Sequence, residues 1–96
     1  MLKSTGKSFS VKDWFANKVA NEVKSNISMC EVFAILKETE KAVYAVLNLG
    51  YFFHKTMWIP KSALIENETH YDHETWQFDS YDEAIYAFKA MWEMYA

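Results

Sequence analysis

The chain has 96 residues, of which 51% are hydrophobic and 18% aromatic, and its formal net charge is −3. This length suits one domain with a single core, and this hydrophobic content excludes a chain that stays unfolded in water. All ten basic residues are lysine, which argues against the base readout and tight phosphate binding that favour arginine.

The first predicted elements are a polar lead-in and a helix. Residues 1–9 are polar, lack the apolar segment of a signal peptide and are predicted to be flexible. Ser10 is the predicted N-cap of a helix over about residues 11–24, with Asp13 in its first turn. The helical spacing is carried by the apolar residues Val11, Trp14, Phe15, Val19 and Val23. Ser25 and Asn26 are expected to end the helix.

A strand-rich block follows, and it begins with a predicted hairpin. Residues 29–37 and 42–49 are rich in β-branched and apolar residues, and the polar residues 38–40 are short enough for a turn between them. Both faces of 42–49 are apolar, which is typical of a central strand. Asn48 and Gly50 predict a turn or a bulge.

The remaining strand signals are weaker. Residues 53–59 predict a third strand, which Pro60 ends because proline has no N–H to donate. Residues 66–73 are predicted to form a polar loop, and 75–78 to form a short fourth strand.

The last element is a helix predicted over residues 81–95. Ser80 and Glu83 have the spacing of a capping box. Its predicted apolar stripe contains Tyr81, Ala84, Ile85, Phe88, Met91, Trp92 and Tyr95. The sequence therefore predicts one α+β domain over residues 1–96, with an N-terminal helix, an antiparallel sheet of three to four strands, and a C-terminal helix packed on that sheet.

Candidates for chemistry are few. Cys30 lies in an apolar run and is interpreted as a buried, inert thiol, and His54 as a structural strand residue. His70, Asp72 and His73 have polar groups that metals bind, but a structural zinc site needs four ligands, so a solvated loop is the preferred reading. We therefore expect no catalytic residues, no metal and no cofactor, and no enzymatic activity.

Charge is divided unevenly along the chain. Residues 1–61 hold nine lysines and five acidic residues, a net charge of +4, and residues 62–96 hold one lysine and eight acidic residues, a net charge of −7. The high aromatic content fits either rings exposed at an interface or a small core of large side chains. The residues predicted to contact a partner are Tyr44, Trp58, Lys61, Ser62, Glu66, Glu68, Asp72 and Glu74.

Two motifs carry a resemblance. The segments 38–43 (Glu-Thr-Glu-Lys-Ala-Val) and 58–62 (Trp-Ile-Pro-Lys-Ser) resemble small uncharacterised proteins of phages and prophages of low-GC Gram-positive bacteria. The resemblance covers about residues 31–65, and the aromatic insert 50–54 departs from it. It implies a mobile genetic element as the setting and no site residues.

The expected function is that of a non-enzymatic protein-binding module in the cytoplasm. Its partner is expected to be a host or phage protein, a homodimer is also considered, and no membrane association is expected. In one version, the acidic region from Glu66 to Glu83 imitates nucleic acid toward a basic protein. The alternative is a nucleic-acid-binding accessory protein that uses the lysines and aromatic residues of 37–61, among them Lys41, Tyr44, Lys55, Trp58 and Lys61.

Overall fold

A computed structural model of the chain describes residues 3–4, 7–24, 27, 29–50, 53–67 and 75–95. It contains two α-helices and seven strands, and the third strand pairs with three of the others. In chain order they are β1 (Lys3–Ser4), β2 (Ser8–Val11), α1 (Asp13–Val23), β3 (Glu31–Glu38), β4 (Ala42–Gly50), β5 (Phe53–Pro60), a 3₁₀ turn (Lys61–Ala63), β6 (Leu64–Asn67), β7 (Trp76–Gln77) and α2 (Tyr81–Tyr95).

The strands form one sheet whose centre is an antiparallel meander of β3, β4 and β5. One edge of β3 pairs with β4. Its other edge pairs first with β2, antiparallel, and then with β7, parallel. β6 pairs with β2, and β1 pairs with β7. The α+β class, the central position of β4 and the strand end at Pro60 are therefore confirmed.

The sheet has more strands than the predicted three to four, and this part of the prediction is wrong. The missed strands are β1, β2 and β6. Two of them lie in residues 1–9 or begin there, where the sequence predicts a flexible lead-in, and β6 overlaps the predicted polar loop. Each has four residues or fewer, and hydrogen bonds to distant strands, such as β2 to β6, hold them in place.

The start of α1 also differs from the prediction. Ser10 does not cap the helix, since it pairs with Glu31 and Ile65 within the sheet and its hydroxyl accepts a hydrogen bond from Asn67. Lys12 occupies the N-cap position instead, and its carbonyl accepts hydrogen bonds from the amides of Phe15 and Ala16. Ser25 and Asn26 lie outside the described residues, and the helix itself ends at Val23, followed by Lys24 in the left-handed conformation.

α2 has the predicted bounds, and Ser80 caps its first turn as predicted. The Ser80 hydroxyl accepts a hydrogen bond from the amide of Glu83 at 3.3 Å. Within the described residues, neither α1 nor α2 is long and apolar enough to cross a membrane.

Two apolar clusters lie on opposite faces of β3 and β4. The α1-side cluster includes Phe15 and Val19 of the helix together with Ala45 and Leu47 of β4. The α2-side cluster includes Ala84 and Phe88 of the helix with Val46 of β4 and Phe33, Ala34 and Phe78. Because successive strand residues point to opposite faces, the alternation of β4 divides it between the two clusters.

Candidate binding surface

Two aromatic side chains form the core of the candidate surface. Tyr44 of β4 lies directly opposite Trp58 of β5, and their ring centroids are 5.2 Å apart. Trp58 is 46% exposed, whereas its neighbour Ile59 is fully buried. The strand geometry thus directs Ile59 into the α1-side cluster and Trp58 to the opposite face of the sheet.

β3 adds a cation to this pair. Lys37 is the register partner of Tyr44, so Lys37, Tyr44 and Trp58 stand in one row across three strands. The side chain of Lys37 is exposed. We call these three residues the aromatic row.

An irregularity in β3 places Lys37 in that row. The register with β4 shifts twice, between Val32 and Ala34 and between Ile35 and Lys37, which leaves Phe33 and Leu36 as extra residues. Each extra residue shifts the in-and-out alternation of the side chains by one position. Phe33 and Leu36 therefore both pack on the α2 side. Lys37 pairs with Tyr44 and lies on the same side as Tyr44. The sequence alone did not reveal this, because a simple period of two places Lys37 on the face of Ile35.

The sheet edge beside the row belongs to β5. Among the residues that the structure describes, β5 pairs with β4 alone. Within these residues the outer edge of β5 has no strand partner, and an edge of this kind is a usual place for a further strand to pair.

Other predicted contact residues lie on a different surface. Lys61 pairs with Glu38 at 2.6 Å, and Glu66 pairs with Lys7 at 2.9 Å. Both pairs lie around a pocket of about 360 Å³, which is lined by Phe9, Ile35, Glu38, Val43, Lys61, Leu64 and Glu66. Ile35 and Val43 belong to the α1-side cluster, so the pocket opens on the face opposite the aromatic row.

The structure therefore divides the predicted contact set. It brings Tyr44 and Trp58 together and places Lys61 and Glu66 at the pocket. Ser62 is exposed in the 3₁₀ turn between β5 and β6. The predicted contacts Glu68, Asp72 and Glu74 lie outside the described residues, as do the metal candidates His70 and His73.

The lysines that the sequence proposes for nucleic-acid contact do not lie together on the surface of Tyr44 and Trp58. Lys55 pairs with Leu47, which lies in the α1-side cluster, so Lys55 is on the opposite face from Trp58. Lys61 already has a carboxylate partner in Glu38. Lys41 lies in the exposed turn before β4, where its carbonyl accepts a hydrogen bond from the amide of Lys61.

Two titratable groups of the described residues have clearly shifted pKa values. Burial, followed by the charge of Glu31, raises the pKa of the Cys30 thiol to about 11. The thiol packs against the α1-side cluster. Burial and then the charge of Lys89 lower the pKa of His54, whose ring makes an edge-to-face contact with Phe88 at 5.1 Å. Within the described parts of the chain, no three His, Cys, Asp or Glu side chains are grouped so that they could hold a metal ion.

Comparison with protein-family models, with curated proteins and with solved structures finds no match for this chain.

Proposed function

We propose that the protein is a small, non-enzymatic protein-binding module that contacts its partner through Tyr44 and Trp58 beside the β5 edge. The observation that carries the proposal is the exposed ring of Trp58, which packs at a tilted angle against Tyr44 on the α2 side of the sheet. Tyrosine and tryptophan are enriched among the residues that dominate binding energy at protein interfaces, since they bury a large area and retain a polar group.

The β5 edge supports a protein partner in particular. An extended partner segment placed beside β5 makes backbone hydrogen bonds, and its side chains on one face then lie next to Trp58. The resemblance of 38–43 and 58–62 to phage and prophage proteins suggests a bacterial host protein, whose activity the module inhibits or modulates.

The test uses two tryptophans of similar exposure. Trp58 is 46% exposed on β5, and Trp14 is 53% exposed on α1, which packs on the other face of the sheet. Tagged wild-type protein, Trp58→Ala and Trp14→Ala are used to capture partners from a lysate of a low-GC Gram-positive bacterium. We expect one or more proteins that wild type and Trp14→Ala retain and that Trp58→Ala loses by at least about tenfold. Equal capture by all three proteins would contradict the proposal.

A second candidate function is single-stranded nucleic-acid binding by the aromatic row. The observation that favours it is the alignment of Lys37 with the two rings, because a stacking platform beside a cation suits a base and its phosphate. The ion pairs of Lys7 and Lys61 weigh against it, since they leave less positive charge for a phosphate backbone.

Fluorescence anisotropy with a labelled oligothymidylate at low salt tests this second function. Stacking of one base on Trp58 is worth about 1–3 kcal/mol, so Trp58→Ala should weaken binding about 5- to 150-fold. Lys37→Gln should reduce the salt dependence of the affinity, and Trp14→Ala should leave the affinity unchanged. Failure of the wild type to bind at micromolar protein removes this candidate.

A further inference from the structure

The outward side of α2 carries a second apolar surface that lies outside both clusters. Tyr86 is 79% exposed and Met94 is 84% exposed, the highest values among the large apolar residues described. Ala90, which is also exposed, lies midway between them. Residues four apart lie on one face of a helix, so the three side chains form a continuous row, which we call the α2 ridge.

We propose that the α2 ridge binds the same ridge of a second copy of this chain, with the two helices antiparallel and the twofold axis at Ala90. In this arrangement each Tyr86 packs on Met94 of the other copy, and this contact occurs twice. A thioether beside an aromatic ring is a favourable pair. The small side chain of Ala90 at the crossing point lets the two helices approach closely.

Charge and helix direction favour the antiparallel arrangement over the parallel one. Lys89 and Glu93 are one turn apart on the same flank of the ridge, and a twofold axis perpendicular to the helices places that flank against its own copy. Lys89 of one chain then lies near Glu93 of the other, in both directions. A parallel pair would stack Tyr86 on Tyr86 and Met94 on Met94, and it would align the two helix dipoles unfavourably.

The size of the ridge sets the expected strength. The contact is confined to one face of a 15-residue helix, so we expect a weak, reversible monomer–dimer equilibrium. The ridge faces away from the Phe88 side of α2 and shares no residue with the aromatic row. The dimer therefore does not depend on the function proposed above.

Disulfide trapping tests the geometry directly. In a Cys30→Ser background, Ala90→Cys should form a disulfide dimer under mild oxidation, because residue 90 meets itself at the axis. Tyr86→Cys alone and Met94→Cys alone should not, since each thiol lies about 12 Å along the helix from its own copy. A mixture of Tyr86→Cys and Met94→Cys should give the heterodimer. Asp82→Cys, exposed on the same helix at its first turn, controls for random collision.

Sedimentation equilibrium tests the energetics. Tyr86→Glu and Met94→Glu should each raise the dissociation constant of the dimer at least about tenfold. Trp58→Ala should leave it unchanged, which separates this test from that of the partner surface. A wild-type protein that remains monomeric up to about 1 mM overturns the proposal, and so does a dimer in which Ala90→Cys is not trapped while Asp82→Cys is.

Discussion

At the scale of single residues, Thr75 makes the most consequential contacts of the described side chains. Its hydroxyl donates a hydrogen bond to the carbonyl of Val32 at 2.9 Å and accepts one from the amide of Phe9 at 3.0 Å. Its own amide donates to the carbonyl of Lys7 at 2.8 Å. Thr75 is fully buried at the point where the edge of β3 changes partner from β2 to β7. The Thr75 side chain thus supplies a hydrogen-bond partner for the Val32 carbonyl and for the Phe9 amide where the strand pairing changes.

Replacing Thr75 by valine keeps its shape but removes the hydroxyl. One buried and one partly buried backbone group then lose this hydrogen bond, so Thr75→Val should lower the free energy of unfolding by about 2–4 kcal/mol. Thr75→Ser retains the hydroxyl and should cost about 1 kcal/mol for the lost methyl group. Urea denaturation measures both values. Equal destabilisation by the two variants would show that packing and not hydrogen bonding holds this junction.

Cys30 should react slowly with thiol reagents. Its pKa of about 11 instead of 9.0 reduces the thiolate fraction at pH 8 about 100-fold, and the thiolate is the reacting species. The rate of reaction with a disulfide reagent should therefore be at least about 100-fold lower in the native protein than in the same protein unfolded in guanidinium. Similar rates in both states would contradict the partial burial of this thiol.

At the scale of elements, His54 joins β5 to α2. It lies in the strand next to the aromatic row, and its ring contacts Phe88, which also makes an edge-to-face contact with Phe33 at a centroid distance of 5.3 Å. Burial and the nearby charge of Lys89 both disfavour the protonated imidazole. The contact between the strand and the helix is therefore best formed by neutral His54.

This contact makes stability depend on pH. The pKa of His54 in the folded protein lies below its ordinary value of 6.5, so the unfolded chain takes up the proton first as the pH falls. The stability that neutral His54 contributes is fully present above pH 6.5 and is lost as the pH falls through the folded pKa.

Urea midpoints between pH 7.5 and 5.5 measure this loss. His54→Gln should reduce the decline, and Lys89→Gln should reduce it by a smaller amount, because burial is the larger cause. A decline that is identical in wild type and His54→Gln would contradict the assignment.

At the scale of the whole molecule, the two apolar clusters share the same two strands. Val32 and Phe33 are neighbours in β3, and Val46 and Leu47 are neighbours in β4, yet each pair is divided between the α1-side and α2-side clusters. Loss of either cluster therefore removes support from the strands that form the other. The protein should unfold in a single cooperative transition.

One buried ring from each helix tests this cooperativity. Phe15→Ala and Phe88→Ala each empty a site that is at most 1% exposed, so each should cost about 3–5 kcal/mol. Trp14→Ala, on the exposed side of α1, should cost about 1 kcal/mol or less. Circular dichroism and tryptophan fluorescence should report the same midpoint for every variant. Separate transitions by the two probes would show that the clusters unfold independently.

Charge is also rearranged at this scale. The sequence divides into a basic region and an acidic region, but β6 brings Glu66 of the acidic region to Lys7 of the basic one. The pairing of β2 with β6 thus places an acidic side chain of one region beside a lysine of the other. The difference in net charge between residues 1–61 and 62–96 therefore overstates how far positive and negative side chains are separated on the surface.

Local patterns were sufficient wherever a signal was complete within one segment. The helix over 81–95, the central strand with two apolar faces and the strand end at Pro60 all follow from periodicity, capping and proline geometry. The irregularity predicted from Asn48 and Gly50 is present, since the register shifts there and the Asn48 side chain accepts a hydrogen bond from the Gly50 amide.

Three features are determined only by the tertiary structure. They are the formation of the short strands β1, β2 and β6, the side of the sheet on which Lys37 lies, and the hydrogen bonds of the buried Thr75. These features depend on partners that are far apart in sequence, such as Phe9 and Thr75, which are separated by 66 positions. A segment of two to four residues has too few neighbours of its own to determine its conformation. Its pairing is stable only after the rest of the sheet supplies the hydrogen bonds.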